Sequence, residues 1–307
     1  MSRLVFFGNE RIATGVTTTV PTLQALLDNG YEVAAIVLAQ GAEVKSRKQR
    51  PLEIAEVATA HGIPVLSPEK LADITDELKA LEPDAGVLIA YGKLIPQSVI
   101  DIFPHGIINI HPSLLPLHRG SIPLEAAMLQ GDTQTGVSLM QLVKAWDAGP
   151  YFAQTPVILT GNETKQDLAD RLLKLGGDML IQHLPAILSS ELEPTPQNDA
   201  EATYDQRLAK DSGTLNEDDW DRPTIEIERM IRALAGWPRV RTRVAEADII
   251  ITSAHAISGA GMPGVLWSEV GQFGIFTKDG ILVIDQLIPA GKKEMSAQAF
   301  LAGHNFA

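Results

Sequence analysis

The sequence has no cysteine among its 307 residues. That absence excludes a disulfide scaffold, thiolate zinc sites, iron–sulfur clusters and a cysteine nucleophile together. No uninterrupted apolar run reaches the ~18 residues of a membrane-spanning helix. The apolar run at residues 4–7 is too short for a secretion signal, and no cleavage pattern follows it. A cytoplasmic protein with no membrane contact is therefore expected. The histidines (His61, His105, His111, His118, His183, His255 and His304) form no i, i+4 pair, which argues against a helical zinc site, and no metal is expected. There is no G-x-S-x-G nucleophile elbow. Basic charge is also short. With 25 Lys and Arg against 38 Asp and Glu the net charge is −13, which argues against a non-specific nucleic-acid coat. The deficit is uneven: residues 207–307 hold 11 basic and 13 acidic side chains, a net −2, leaving −11 for residues 1–206. A nearly neutral C-terminal third can still carry a local basic face.

Apolar residues make up 45% and charged residues 21%, enough for a sizeable core, and the length suggests two domains. The first half alternates short apolar runs with helical patterns, the sequence form of a parallel α/β sheet. Residues 4–7, 33–38, 86–90 and 107–110 read as strands buried on both faces. Between the first two, Leu23, Leu26 and Leu27 share a helical face, with Pro21 in the first turn and Gly30 at the C-terminal cap. Residues 51–61, before Gly62, repeat the arrangement. A long helix is expected from Thr164 to about Leu188, with Thr164 and Asp167 as a capping pair.

The composition then shifts. A polar stretch with Pro194, Pro196 and Asn198 reads as a linker over residues 190–206, dividing residues 1–189 from residues 207–307. Beyond it, Ile227, Met230, Ile231 and Leu234 form one helical stripe. After Pro238 the chain is strand-like with glycine-rich turns, which suggests a small β-barrel or sandwich. One of those turns, Gly259-Ala260-Gly261-Met262-Pro263-Gly264, matches the dinucleotide fingerprint by letter. A strand pattern follows instead of a helix, and Pro263 removes an amide, so it reads as a β-turn.

One constellation remains. Asn109 and His111 stand at i and i+2 at the end of a buried strand, so both point to the same side, and Pro112 stops the ladder after them. Open α/β sheets build ligand clefts at such strand ends. A capping Asn and a satisfied core His would read the same way. Asp147, in the loop Trp146-Asp147-Ala148-Gly149-Pro150, adds a carboxylate able to orient or charge an imidazole. Asn offers a donor to an oxyanion, and His with Asp offers proton handling. With no nucleophile of its own, the set suits acyl transfer by direct attack of a substrate amine.

Asn109-Ile110-His111-Pro112-Ser113-Leu114-Leu115-Pro116, followed by Arg119-Gly120, Gly131-Asp132, Thr135-Gly136-Val137 and Asp147-Ala148-Gly149-Pro150, resembles the 10-formyltetrahydrofolate-dependent formyltransferases. The resemblance covers the whole chain. Thr203-Tyr204, Trp237-Pro238 and the tail running from Pro289 through Gly291-Lys292-Lys293 to Met295 are similar to the branch that formylates methionyl-tRNA. The resemblance implies a Rossmann-like α/β formyltransferase domain, a linker and an OB-like β-barrel domain that holds tRNA. It implies 10-formyltetrahydrofolate as formyl donor and methionyl initiator tRNA as acceptor. It assigns Asn109, His111 and Asp147 to catalysis. Leu88, Ile89, Ala90, Tyr91 and Gly92, with Ser113, Leu114, Leu115 and Pro116, would border the folate. The chain departs from the family pattern at residues 8–15, which replace a Gly-Thr-Pro-acidic segment and carry extra residues before Pro21. It departs again at residues 40–50, and at Ala145-Trp146, where Gly-Leu is usual.

Two basic groups could meet tRNA phosphates. Arg239, Arg241 and Arg243 alternate with Val240, Thr242 and Val244, so on a strand they would project from one face. Lys45, Arg47, Lys48 and Arg50 cluster in a polar loop, and Lys292 and Lys293 are a further candidate. Either of the first two groups could equally be a solvated basic surface. A monomer is expected. The alternatives are another enzyme using the same donor (a sugar-nucleotide N-formyltransferase or a formyl-folate hydrolase), a non-catalytic tRNA- or folate-binding module, and, more distantly, an NAD-dependent oxidoreductase.

Overall fold

The computed structural model describes residues 2–39, 52–244, 247–269 and 271–303. Lys45, Arg47, Lys48 and Arg50 lie outside the described residues. Contacts divide the chain into two compact units. One comprises Met1–Leu124, Gln134–Leu159 and Gln166–Arg207; the other comprises Glu125–Thr133, Thr160–Lys165 and Leu208–Ala307.

The first unit is built on a seven-stranded sheet. Its strands are β1 (Arg3–Gly8), β2 (Glu32–Val37), β3 (Val65–Leu66), β4 (Ala85–Ile89), β5 (Ile107–His111), β6 (Gln134–Gln141) and β7 (Tyr151–Ile158), in the order β3-β2-β1-β4-β5-β6-β7. The first five are parallel; β6 and β7 are antiparallel. The parallel strands β4 and β5 are buried throughout, as strands covered on both faces must be. Helices α1 (Pro21–Asp28), α2 (Glu53–Ala60), α3 (Thr75–Ala80) and α4 (Gln97–Ile100) belong to this unit. So does α6 (Lys165–Leu188) from Gln166 onward, after α5 (Pro123–Gln130) in the chain. The order of β3, β2, β1, β4 and β5 is the Rossmann order.

Glycine decides how closely β1 and β4 leave the sheet. Gly8 has φ +111°, and a Cβ there would lie 1.8 Å from the carbonyl oxygen of Ile89, so no other residue fits. Just before it, Phe7 meets Tyr91 edge-on with centroids 5.9 Å apart and Phe103 at 5.7 Å, an apolar floor under the strand ends.

The stretch expected to be a linker lies along the first unit. Thr195 bridges to Tyr151 and Tyr204 to Arg119. A buried arginine organises it: Arg119, only 1% exposed, meets Gln197, Asp199 and the Tyr204 hydroxyl.

The second unit contains α7 (Thr224–Ala233) and an antiparallel sheet. Its strands are β8 (Val240–Val244), β9 (Ala247–Ile257), β10 (Leu266–Glu269), β11 (Gln272–Phe276), β12 (Ile281–Pro289) and β13 (Met295–Ser296), and α8 (Ala297–Leu301) follows. The sheet path is β10-β11-β12-β9-β8, with β13 on β12. Among the described residues no pairing joins β10 to β8, so the sheet is open. The stripe expected on α7 is its buried face: Ile227, Met230 and Ile231, with Leu234 after it, join Val240, Ile251, Leu282 and Phe300 in one core. Residues 259–264 form the connection from β9 to β10, and Gly264 has φ +84°, the positive value a glycine turn supplies. Among the described residues no helix is long and apolar enough to cross a membrane.

Candidate active site

The sheet order switches direction between β1 and β4, and open α/β sheets collect ligands beyond the strand C-termini at such a point. A cavity of about 390 Å³ lies there. Its walls are residues 11–15 after β1, Leu88 and residues 90–95 at the end of β4, residues 109–112 of β5, and residues 142, 143 and 145–147 between β6 and β7.

Asn109 and His111 are side by side on that wall, as the strand period requires, and each is nearly buried at 5% and 4% exposure. Among the described residues nothing hydrogen-bonds the Asn109 side chain, so its amide remains available to a ligand in the cavity. His111 is held from behind. Its Nε2 lies 3.0 Å from the carbonyl oxygen of His118, which can only accept, so Nε2 carries a proton. That leaves Nδ1 facing Asp147, whose Oδ1 is 3.9 Å away. The other carboxylate oxygen, Oδ2, accepts from the Gly120 N–H at 2.9 Å. Asp147 has φ +46°, a left-handed conformation disfavoured for a non-glycine residue and concentrated at functional sites.

Leu88, Ala90, Tyr91 and Gly92 line the cavity as the sequence suggested, whereas Ile89 is wholly buried and is not among the lining residues. Ser113, Leu114, Leu115 and Pro116 are also absent from the lining. Ser113 and Leu115 meet β6 and β7 instead, and the Pro116 carbonyl accepts from the Thr203 N–H. The Ser113 carbonyl accepts from Ser138 Oγ at 2.6 Å, the Leu115 N–H donates to the same oxygen, and Gln154 Nε2 donates to the Leu115 carbonyl at 2.7 Å. Pro112 is the last residue of this run that lines the cavity.

The sequence reading missed the opposite wall. Residues 11–15 belong to the atypical connection before α1, which folds around Glu10. The Glu10 carboxylate is fully buried and accepts from the Thr22 and Leu23 N–H groups at 2.9 and 2.8 Å, serving the N-terminus of α1 where Val20 offers no side-chain cap. Burial pushes its pKa up to about 7 against the opposing pull of those hydrogen bonds. Arg11 lines the cavity and pairs with Glu53 of α2 at 2.6 Å. The signal for this wall was positional: the segment follows the strand at the switch point. His118, which reads as a loop histidine, is also buried and faces Asp205 at 3.0 Å.

The basic residues separate. Arg239 precedes β8 with φ +69° and donates to the Gly236 carbonyl; Arg241 folds back and donates to the Pro238 carbonyl at 2.8 Å. Val240, Thr242 and Val244 do pack inward, but the strand begins one residue too late to include Arg239. Arg243, Lys292 and Lys293 are exposed.

Residues 10–184 match the formyl transferase family, and residues 215–305 match the formyl transferase C-terminal domain. The chain is 36% identical to a methionyl-tRNA formyltransferase of Pelobacter propionicus, over 98% of this chain and 92% of that one. It is 37% identical to a methionyl-tRNA formyltransferase of Chloroflexus aurantiacus, over 98% and 96%. Among solved structures, the fold is similar to an N-formyltransferase from Helicobacter canadensis in complex with folinic acid and dTDP-3-aminofucose. That likeness has a TM-score of 0.69 at 19% identity and covers 94% of this chain and 100% of that chain. It is also similar to HypX from Aquifex aeolicus in complex with tetrahydrofolic acid, with a TM-score of 0.67 at 17% identity over 98% of this chain. This chain spans about half of HypX, 47% of its length.

Proposed function

The chain belongs to the formyl transferase family, and from that premise we propose that it transfers a formyl group from 10-formyltetrahydrofolate to the α-amine of methionine on initiator tRNA. The observation that carries this reading is the unpartnered Asn109 amide beside the His111–Asp147 pair in one cavity. The relatives named above, similar from end to end, support the choice of acceptor.

The reaction forms a bond between the methionine nitrogen and the formyl carbon and breaks the bond from that carbon to N10 of the folate. The amine loses a proton and N10 gains one. Asn109 donates to the formyl oxygen as negative charge gathers there, a contact worth a factor of roughly 10²–10³ in rate. His111, with Nε2–H committed to the His118 carbonyl, presents Nδ1 to the reacting centre. Asp147 stabilises an imidazolium at His111 and receives the proton leaving the amine, through water where the gap requires it. Leu88, Tyr91 and Ile95 offer apolar surface to a pterin ring, and the ends of β4 and β5 offer main-chain groups to its edge. A volume of about 390 Å³ suits a ligand of that class.

In this reading residues 1–189 form the catalytic domain, residues 190–206 the linker, and residues 207–307 an OB-like domain that holds tRNA. Arg243, Lys292 and Lys293 are among its exposed cations. A monomer working in the cytoplasm, where translation starts, is the simplest form of the proposal. The test is transfer of labelled formyl from 10-formyltetrahydrofolate to methionyl initiator tRNA, with methionyl elongator tRNA as control. Label on the initiator alone is expected. Label on an amino-sugar nucleotide, or released as formate, would overturn the proposal.

A further inference from the structure

The segment between residues 195 and 205 touches the machinery from both sides. Gln197 Nε2 donates to the carbonyl oxygens of Asp147, at 2.9 Å, and Gly149, at 2.6 Å. Its Oε1 accepts from Arg119 Nε at 3.0 Å and Nη2 at 2.8 Å. Both amide hydrogens and both lone pairs of one side chain are thus engaged. One of the two carbonyls it grips belongs to Asp147 itself, the residue held at φ +46°, and the other follows it by two residues. On the other side, Thr203 Oγ1 accepts from the His118 N–H at 2.7 Å, and Asp205 Oδ2 lies 3.0 Å from His118 Nδ1. The carbonyl of that same His118 accepts from His111 Nε2.

From this arrangement we infer that Gln197 is a positioning residue for Asp147, and that the segment carrying it braces the His111–Asp147 pair from both ends. The inference rests on the formyl-transfer reading for its kinetic consequences only. Asp147 occupies a disfavoured backbone conformation, and a carboxylate there reaches His111 only while the loop keeps that geometry. Gln197 fixes the carbonyls of Asp147 and Gly149, and Arg119 fixes Gln197. Gly120, next to Arg119, donates to the carboxylate itself, so one buried guanidinium anchors both holds on Asp147. The nearest charged and titratable groups to His111 are Asp147 in front and His118 with Asp205 behind.

Gln197→Glu separates the two sides of the amide. It keeps acceptors for Arg119 and removes both donors to the 147–149 turn. We expect kcat to fall roughly 10- to 100-fold, the loss that a displacement of about 1 Å can cause, with the KM for folate changed less than about threefold. The ring resonances of His111, followed by NMR at one fixed pH, should shift as Asp147 swings away. The comparison variant is Asp199→Ala, which removes another partner of Arg119 without touching the turn. It should lower the melting temperature and leave kcat within about twofold. Should Gln197→Glu not fold, Gln197→Asn, which keeps the amide but withdraws it by one methylene, carries the same comparisons. Unchanged kcat or unchanged His111 ring resonances in the Gln197 variant would overturn the inference. So would a kcat loss in Asp199→Ala as large as in Gln197→Glu, since that would make the contact merely structural. If the wild-type protein formylates no methionyl-tRNA, the functional reading fails, while the His111 ring resonances still decide whether Gln197 positions Asp147.

Discussion

Oδ1 of Asp147 stands 3.9 Å from Nδ1 of His111, too far for a hydrogen bond but within ion-pair distance of an imidazolium in a nearly buried cleft. Asp147→Asn is almost isosteric and keeps the acceptor for the Gly120 N–H, so the fold should persist. We expect kcat to drop by at least about 100-fold with little change in folate binding, measured by single-turnover kinetics and calorimetry. Adding His111→Ala should cost less than the two separate losses combined, because the groups act as one unit.

Trp146 lines the cavity and is 43% exposed. Folate binding should therefore change the intrinsic fluorescence, and Trp146→Phe should remove most of that change. Folate affinity in the variant should stay within roughly tenfold, because the loss is one aromatic edge in a wall of several residues. A full signal in Trp146→Phe would place the ligand elsewhere.

Glu10 makes stability depend on pH. Its pKa is raised to about 7 in the folded protein from an ordinary value of 4.5, so the folded state binds the proton more tightly than the unfolded chain. The contribution is fully present below the unfolded value and is lost as pH rises through about 7. Over that window it amounts to something on the order of 3 kcal/mol. Thermal melts of the wild type against Glu10→Gln from pH 4.5 to 7.5 test this. The glutamine variant should show a flatter dependence across the window, and an identical slope would exclude Glu10 as its source.

The basic residues of the second unit should no longer behave alike. Removing Arg243, or Lys292 with Lys293, should weaken tRNA binding and flatten its salt dependence by roughly one unit of slope per lost phosphate contact. Arg241→Ala should leave the salt slope nearly unchanged and lower the melting temperature instead. Its guanidinium donates to the Pro238 carbonyl, and its Nε is buried. Filter binding across a salt series, with melting curves beside it, distinguishes the two behaviours.

Much of the site was legible because it obeys local periods. Two residues apart on a strand means the same side of a sheet, so Asn109 and His111 could be paired from spacing alone. The parallel α/β class followed from apolar runs at strand length separated by helical stripes. The arginine alternation obeyed the same rule for Arg241 and Arg243 but not for Arg239, because period 2 holds only inside the strand, and β8 starts at Val240. Residues 113–116 follow no such period. Residues 113–116 continue the motif in sequence, but Pro112 ends the ladder and the chain then turns back onto β6.

The sequence by itself determined the strands, the helical faces, the pairing of Asn109 with His111 and the family resemblance, since each depends on residues close together or in fixed order. Tertiary structure decided the rest. Arg119 meets Gln197 and Asp199 at sequence separations of 78 and 80, and His118 meets Asp205 at 87, contacts that no local period encodes. The same is true of the wall built by residues 11–15, which enters the cavity only because Gly8 lets β1 leave the sheet against Ile89 and Glu10 folds the connection back onto α1. Local sequence sets which side a residue faces. Which buried polar groups must satisfy one another is set only when distant segments close and exclude water, leaving each donor with the acceptors that folding brings within reach.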